Sequence, residues 1–217
     1  METFTLIARI ALMLIEFITA LTAMLFFFQL KHTYWKWFCV YLVFIFIQEF
    51  VWYFKSSIGG LHVHQYYRVF GIPIQFLFLY WLYALKSLKQ KSIFVIFISI
   101  YFISLLTEIY TGEFKVVYSL NMVVGAFLLT ILVILEYIKQ IKSDNILLFK
   151  TNKMFYINLG VVFFYVGTLP FFAFYKVLSN EPYLELRSAY FIYFRISVCI
   201  MYLLFIFSFI WGKQPLK

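Results

Sequence analysis

Charge is scarce in this chain. Of its 217 residues only 12% are Asp, Glu, Lys or Arg, against 65% hydrophobic and 24% aromatic side chains, and the mean hydropathy is +0.94. An ordinary soluble domain carries about 25% charged residues, so that class is excluded. Histidine is limited to His32, His62 and His64, all in connections between apolar runs. An intramembrane zinc hydrolase of the seven-helix type needs several histidines inside its spans, and that chemistry is excluded with them. The two cysteines, Cys39 and Cys199, both fall within apolar runs, where a thiol serves as small apolar filler rather than as half of a disulfide.

Other absences narrow the field further. The last apolar run holds Arg195 but no lysine, so a retinal Schiff base has no attachment point. Rhomboid-like proteolysis needs a serine in a Gly-x-Ser-Gly turn, and the SIGG of Ser57 to Gly60 has the wrong order. There is no phosphate-cradling glycine loop, Cys-His cluster or kinase motif. No linker or composition shift divides the sequence, which reads as a single domain over residues 1–217 with no cofactor.

Long apolar runs are what the sequence does have. Seven of them, at about 4–29, 37–55, 66–85, 93–110, 118–138, 154–176 and 189–211, are each long enough to cross a hydrocarbon core of about 30 Å. The expected fold is all-α, a polytopic bundle of seven transmembrane helices. The first run is kept as a helix and not a signal peptide, because it opens with Glu2 and exceeds a typical signal core. The three hairpin turns QLKHTYWK, LKSLKQKS and YIKQIKSDNILLFKTNK share little beyond basic character, so no internal repeat is read.

The formal charge of +9 raises the question of nucleic acid, which the positions of the basic residues answer in the negative. If seven spans alternate, eleven lysines (31, 36, 86, 89, 91, 139, 142, 150, 153, 213 and 217) fall on one side and Lys55, Lys115, Lys176 and Arg187 on the other. The positive-inside rule then places the N-terminus outside and the C-terminus in the cytoplasm. Trp35, Trp37, Trp81 and Trp211 mark the inner interface and Trp52 the outer one. In the longest connection Ile146, Leu147, Leu148 and Phe149 are expected to lie against the anionic inner leaflet.

Small residues predict which faces pack closely: Ala20, Ala23, Gly125, Ala126, Gly160 and Gly167. Pro73 and Pro170 remove backbone donors inside spans and predict irregularity there, with the option of an outward vestibule.

The intramembrane charges are the most informative residues, since each costs about 2.5–3.5 kcal/mol at mid-span and is seldom left facing lipid. Arg9, Glu16, Glu49, Arg68, Glu108 and Arg195 all lie in the outer layer or near the midplane, with Asn121 at the outer start of the fifth span. The opposite half offers only Asn158 and Glu136. Residues seven apart on a helix differ in direction by about 20°, so Arg9 with Glu16, and Arg68 with Gln75, form stripes. Arg195, Cys199 and Tyr202 share a face of the last helix, and Tyr101, Ser104 and Glu108 share one of the fourth. Two readings stay open. One is an interhelical lock of ion pairs. The other is an outward-facing site in which arginine holds a carboxylate and glutamate an amine or a proton, suiting a small polar or zwitterionic ligand.

The loop SSIGGLHVHQYYR places His62 and His64 beside Tyr66, Tyr67 and Arg68. A metal site there needs more ligands, with Glu113, Glu181 or Glu185 as the sources, and two loop histidines read by default as solvated residues, with a pH-sensitive lid as the alternative.

The IE of Ile15–Glu16, QEF of Gln48–Phe50, LEYI of Leu135–Ile138, FFYVGTLPF of Phe163–Phe171 and the closing FIWGK together resemble uncharacterised small seven-helix inner-membrane proteins of Bacteroidetes-like bacteria. The resemblance implies seven spans and no particular activity. The expected role is non-enzymatic: a sensing, ligand-binding or accessory component that works through a membrane protein partner. A small-solute transporter and a structural subunit of an envelope complex are the alternatives.

Overall fold

A computed structural model of the chain describes residues 2–55, 57–58, 61–110, 120–142 and 146–212. Among them seven helices are long and apolar enough to cross a membrane: α1 (Glu2–Leu30), α2 (Trp35–Phe54), α3 (Val63–Ser87), α4 (Lys91–Tyr110), α5 (Leu120–Ile141), α6 (Lys153–Leu178) and α7 (Glu181–Ile210). This is the architecture of a multi-pass membrane protein. Beside the helices, β1 (Ser57–Ile58) pairs antiparallel with β2 (Leu61–His62). Gly59, Gly60, Glu113, Lys115, positions 118–119, Lys213 and Lys217 lie outside the described residues, as do the side chains of Ile146, Leu147 and Leu148.

The helices form where unbroken apolar sequence leaves the backbone no water to bond and so obliges it to bond itself. Two of them start earlier than the apolar runs alone predict. α3 begins at Val63, where the Gln65 side chain accepts a hydrogen bond from the His62 amide at 3.1 Å. α7 begins at Glu181 because Glu and Pro182 suit a helix N-terminus, and the polar turn that follows, through Glu185, is exposed. α6 opens behind Asn152, whose side chain accepts from the Met154 amide at 3.0 Å.

Both intraspan prolines coincide with a wider, π-helical turn. Pro73 follows the π-turn Tyr67–Gly71, and Pro170 follows the π-turn Val162–Val166. A proline ring collides with the carbonyl four residues before it, here Val69 and Val166, and each of these lies inside the widened turn. A third π-turn, Trp81–Ser87, ends α3, and Lys89 then closes the helix in the left-handed region at φ 59°.

The contacts group into two compact units, each discontinuous in sequence. The first comprises residues 1–56, 144–164 and 195–217, the second residues 57–143 and 165–194.

In the first unit Phe38 is the centre of an aromatic cluster, with ring centroids 5.3 Å from Phe205 and 5.5 Å from Phe209. Ala20 and Ala23 are buried, as close helix packing requires. Gly160 brings α6 onto the backbone of α7: a Cβ there meets the Met201 carbonyl oxygen at 3.2 Å and its Cα at 3.3 Å. Backbone atoms cannot swing aside, so Gly160→Ala is expected to destabilise the protein by about 1 kcal/mol. Thermal unfolding in detergent measures this, and an unchanged midpoint contradicts the close packing.

In the second unit Phe76, Tyr80, Tyr101 and Tyr165 form a fully buried ring cluster, with Phe76 at 5.5 Å from Tyr101 and 5.4 Å from Tyr165. The Tyr80 hydroxyl donates to the Gly125 carbonyl at 2.8 Å, and the missing side chain of Gly125 is the space the Phe76 ring occupies. Gly167 likewise accommodates the Tyr193 hydroxyl. Around both units Leu25, Phe28, Val95, Ile103 and Phe174 stay exposed, which in a bilayer is contact with lipid.

Candidate functional site: two sets of intramembrane polar groups

The polar residues of the spans fall into one set per unit. In the second unit the set is a closed lock. Arg68, placed by the first π-turn, forms an ion pair with Glu108 near the end of α4, and both side chains are buried. Glu108 Oε2 also accepts the backbone N–H of Asn121 at 3.0 Å, so the carboxylate sits on the N-terminus of α5 where helix amides and dipole favour an anion. The Asn121 amide donates to the Tyr101 hydroxyl at 3.0 Å. Ser104 Oγ lies 2.7 Å from the Tyr101 carbonyl and 3.1 Å from Asn121 Oδ1, either of which takes its proton. Gln75 accepts from the Tyr165 hydroxyl at 3.1 Å and so joins α6 rather than Arg68.

The set in the first unit is open. Glu16 on α1 is buried at 5% exposure, accepts a hydrogen bond from Tyr202 on α7, and lies within electrostatic reach of Glu49 on α2. Cys199, one turn before Tyr202, lies within its electrostatic reach. Among the described residues no basic side chain pairs with Glu16. Arg9 does not turn to it: its guanidinium lies 4.5 Å over the Tyr53 ring and 3.5 Å from the Tyr53 carbonyl, with the side chain exposed. Arg195, half-buried one turn before Cys199 on the same stripe as Tyr202, makes no hydrogen bond or ion pair among the described residues.

Of the stripes read from spacing, Tyr101, Ser104 and Glu108 all meet Asn121, whereas on α7 Tyr202 and Cys199 reach Glu16 and Arg195 makes no contact with it. Spacing did not reveal that Arg9 and Glu16 engage different partners on α2, because a shared stripe fixes direction and leaves the reach of a long guanidinium open.

The lysine-bearing ends of the spans hold more buried polar groups than Asn158 and Glu136. Glu136, at 1% exposure, accepts from Ser87 at 2.6 Å and from Gln140 at 3.0 Å, while Lys139 donates to Ser87 Oγ at 2.8 Å and to its carbonyl at 2.9 Å. Lys153, counted from sequence among the connection lysines, is buried at 5% exposure and donates to the Ser208 carbonyl at 3.1 Å. It thereby satisfies a carbonyl in the last turns of α7. The signal in sequence was Asn152, a helix cap that puts the next residue inside the first turn.

His62 and His64 are exposed, as are Glu181 and Glu185, and among the described residues no three metal-ligating side chains come together. Compared with protein-family models, with curated proteins and with solved structures, the chain matches none of them. Its chemistry is read from its own side chains.

Proposed function

We propose that this is a non-enzymatic integral membrane protein of the bacterial inner membrane, N-terminus outside and C-terminus in the cytoplasm. On this reading it binds a small polar or zwitterionic ligand from outside and passes that event to a membrane protein partner. Orientation rests on the lysine distribution. Binding rests on one observation above the others: within a single unit, Glu16 is buried without a basic partner and Arg195 stands without an acidic one. An uncompensated charge of this kind costs about 2.5–3.5 kcal/mol at mid-span on insertion scales, and a purely structural role does nothing to offset that. A zwitterion supplies both missing charges, its carboxylate to the guanidinium and its ammonium to Glu16.

Thermal unfolding in nanodiscs across a panel of amino acids, betaines, dicarboxylates and diamines tests the reading. A zwitterion is expected to raise the midpoint, and Glu16→Gln and Arg195→Gln are each expected to weaken its binding tenfold or more, about 1.4 kcal/mol. Stabilisation only by dicarboxylates, untouched by Glu16→Gln, contradicts it.

A small-solute transporter is the second reading, since Lys153 adds a buried polar group at the other end of the unit that holds Glu16 and Arg195. Gradient-driven uptake into proteoliposomes separates the two.

A further inference from the structure

We infer that the lysine-bearing end of the second unit is a binding surface for an anionic phospholipid. Its phosphate sits among the ammonium groups of Lys86, Lys89, Lys91 and Lys142, and its acyl chains lie on the adjoining faces of α4 and α5. These residues belong to the other unit from Glu16 and Arg195, so the inference is independent of the ligand proposed above.

The surface is built on one closed turn. α3 ends in the π-turn Trp81–Ser87, Lys89 follows in the left-handed region, and α4 begins at Lys91. Two reverse hydrogen bonds close the turn: the Leu88 amide donates to the Tyr83 carbonyl and the Gln90 amide to the Ala84 carbonyl, each at 2.8 Å. Three lysines therefore stand within six residues of a backbone whose own bonds fix its path. Lys139 fastens this turn to the end of α5 through its two bonds to Ser87, and Lys142 stands one turn further along α5. Lys86 is laid across the Trp81 ring, its nitrogen 5.2 Å from the centroid. Groups held in this way lose less freedom when an anion binds.

Charge at this end is unbalanced. Its described residues hold five lysines and one carboxylate, Glu136, which is already engaged by Ser87, by Gln140 and, at 3.6 Å, by Lys139. Lys86, Lys89, Lys91 and Lys142 form no ion pair among the described residues. Four like charges on one turn and the adjoining helix end repel, and an anion placed among them offsets that repulsion. A phosphodiester supplies a fixed negative charge and several acceptor oxygens to ammonium donors. The neighbouring side chains decide what the phosphate is attached to. Ile134, Ile138 and Ile141 of α5 and Val95 and Ile96 of α4 are exposed, and in a bilayer such positions face hydrocarbon. An occupant that covers both surfaces has phosphate at one end and acyl chains at the other. A soluble anion or an acidic peptide leaves the apolar half uncovered.

Thermal unfolding of the full chain in a neutral detergent, titrated with phosphatidylglycerol, with phosphatidylcholine of the same acyl chains and with inorganic phosphate, tests this. Phosphatidylglycerol is expected to raise the midpoint at concentrations about tenfold below those at which phosphatidylcholine does, and added salt to narrow that gap. The triple variant Lys86→Gln, Lys89→Gln, Lys91→Gln is expected to weaken phosphatidylglycerol binding about tenfold or more. Lys89→Gln and Lys91→Gln, each at an exposed position, are expected to weaken it singly by about two- to threefold, which keeps the test open if the triple variant does not fold. A control triple in the first unit, Lys31→Gln, Lys36→Gln, Lys150→Gln, removes the same charge and is expected to change binding less than about twofold. Equal stabilisation by the two lipids overturns the inference. So does inorganic phosphate that matches phosphatidylglycerol, since the site then takes a free anion. Equal losses in the two triple variants overturn it as well, because the attraction then belongs to basic span ends in general.

Discussion

Arg68→Met is expected to cost about 3–5 kcal/mol of unfolding free energy. Arg68 and Glu108 are both buried in the second unit, and the guanidinium is the ion-pair partner of a carboxylate that also accepts the Asn121 amide in the first turn of α5. Removing the cation leaves Glu108 charged in an apolar surrounding, a worse state than having neither charge. The double variant Arg68→Met with Glu108→Gln is therefore expected to recover most of the loss. The amide oxygen still accepts the Asn121 N–H, and no ion is left unpaired. Chemical or thermal unfolding in detergent micelles measures both. A single variant within about 1 kcal/mol of the wild type contradicts the view that this pair locks α3 to α4 and α5.

Gly125→Ala is the second large effect, a loss toward the upper end of about 1–3 kcal/mol. The new Cβ falls 2.6 Å from a carbon of the Phe76 ring. That ring has little room to retreat, since it is fully buried with Tyr101 5.5 Å away and Tyr165 5.4 Å away. The Tyr80 hydrogen bond to the Gly125 carbonyl is pushed out of line with it. Phe76→Leu removes the colliding edge, so the double variant is expected to be more stable than the sum of the two single losses. Strict additivity in an unfolding cycle contradicts direct contact between these positions.

Much of the architecture was legible because a bilayer imposes so few solutions. Apolar runs gave six of the helices to within a few residues, and the misplacement of the α7 start came from the polar residues Glu185, Arg187 and Ser188, on which a hydropathy reading ends. Helical spacing identified the buried face of α4, whereas of the α7 stripe only Tyr202 is buried and Arg195 and Cys199 are half-buried. Residue type identified Gly125, Gly160 and Gly167 as close-packing positions and marked Pro73 and Pro170 as irregular. The form of that irregularity, a π-turn housing the carbonyl each proline would strike, depends on packing and is not written in composition. Nor does a sequence say which charges meet. Six charges of balanced sign in one layer read equally as a lock or a site. The structure separates a set in which Arg68 and Glu108 are mutually satisfied from one in which Glu16 and Arg195 are not. Lys153 escaped notice because positive-inside counting treats every lysine near a span end as solvated.

The division between lock and site is most directly tested by the stability of the ligand-free double variant Glu16→Gln with Arg195→Gln. Glutamine still accepts the Tyr202 hydrogen bond, and neither original charge has a partner to lose. If these two residues form a site, the variant's unfolding free energy in detergent should lie within about 1 kcal/mol of the wild type, or above it. A loss of about 3–5 kcal/mol, the size expected for Arg68→Met, contradicts this and makes both sets structural.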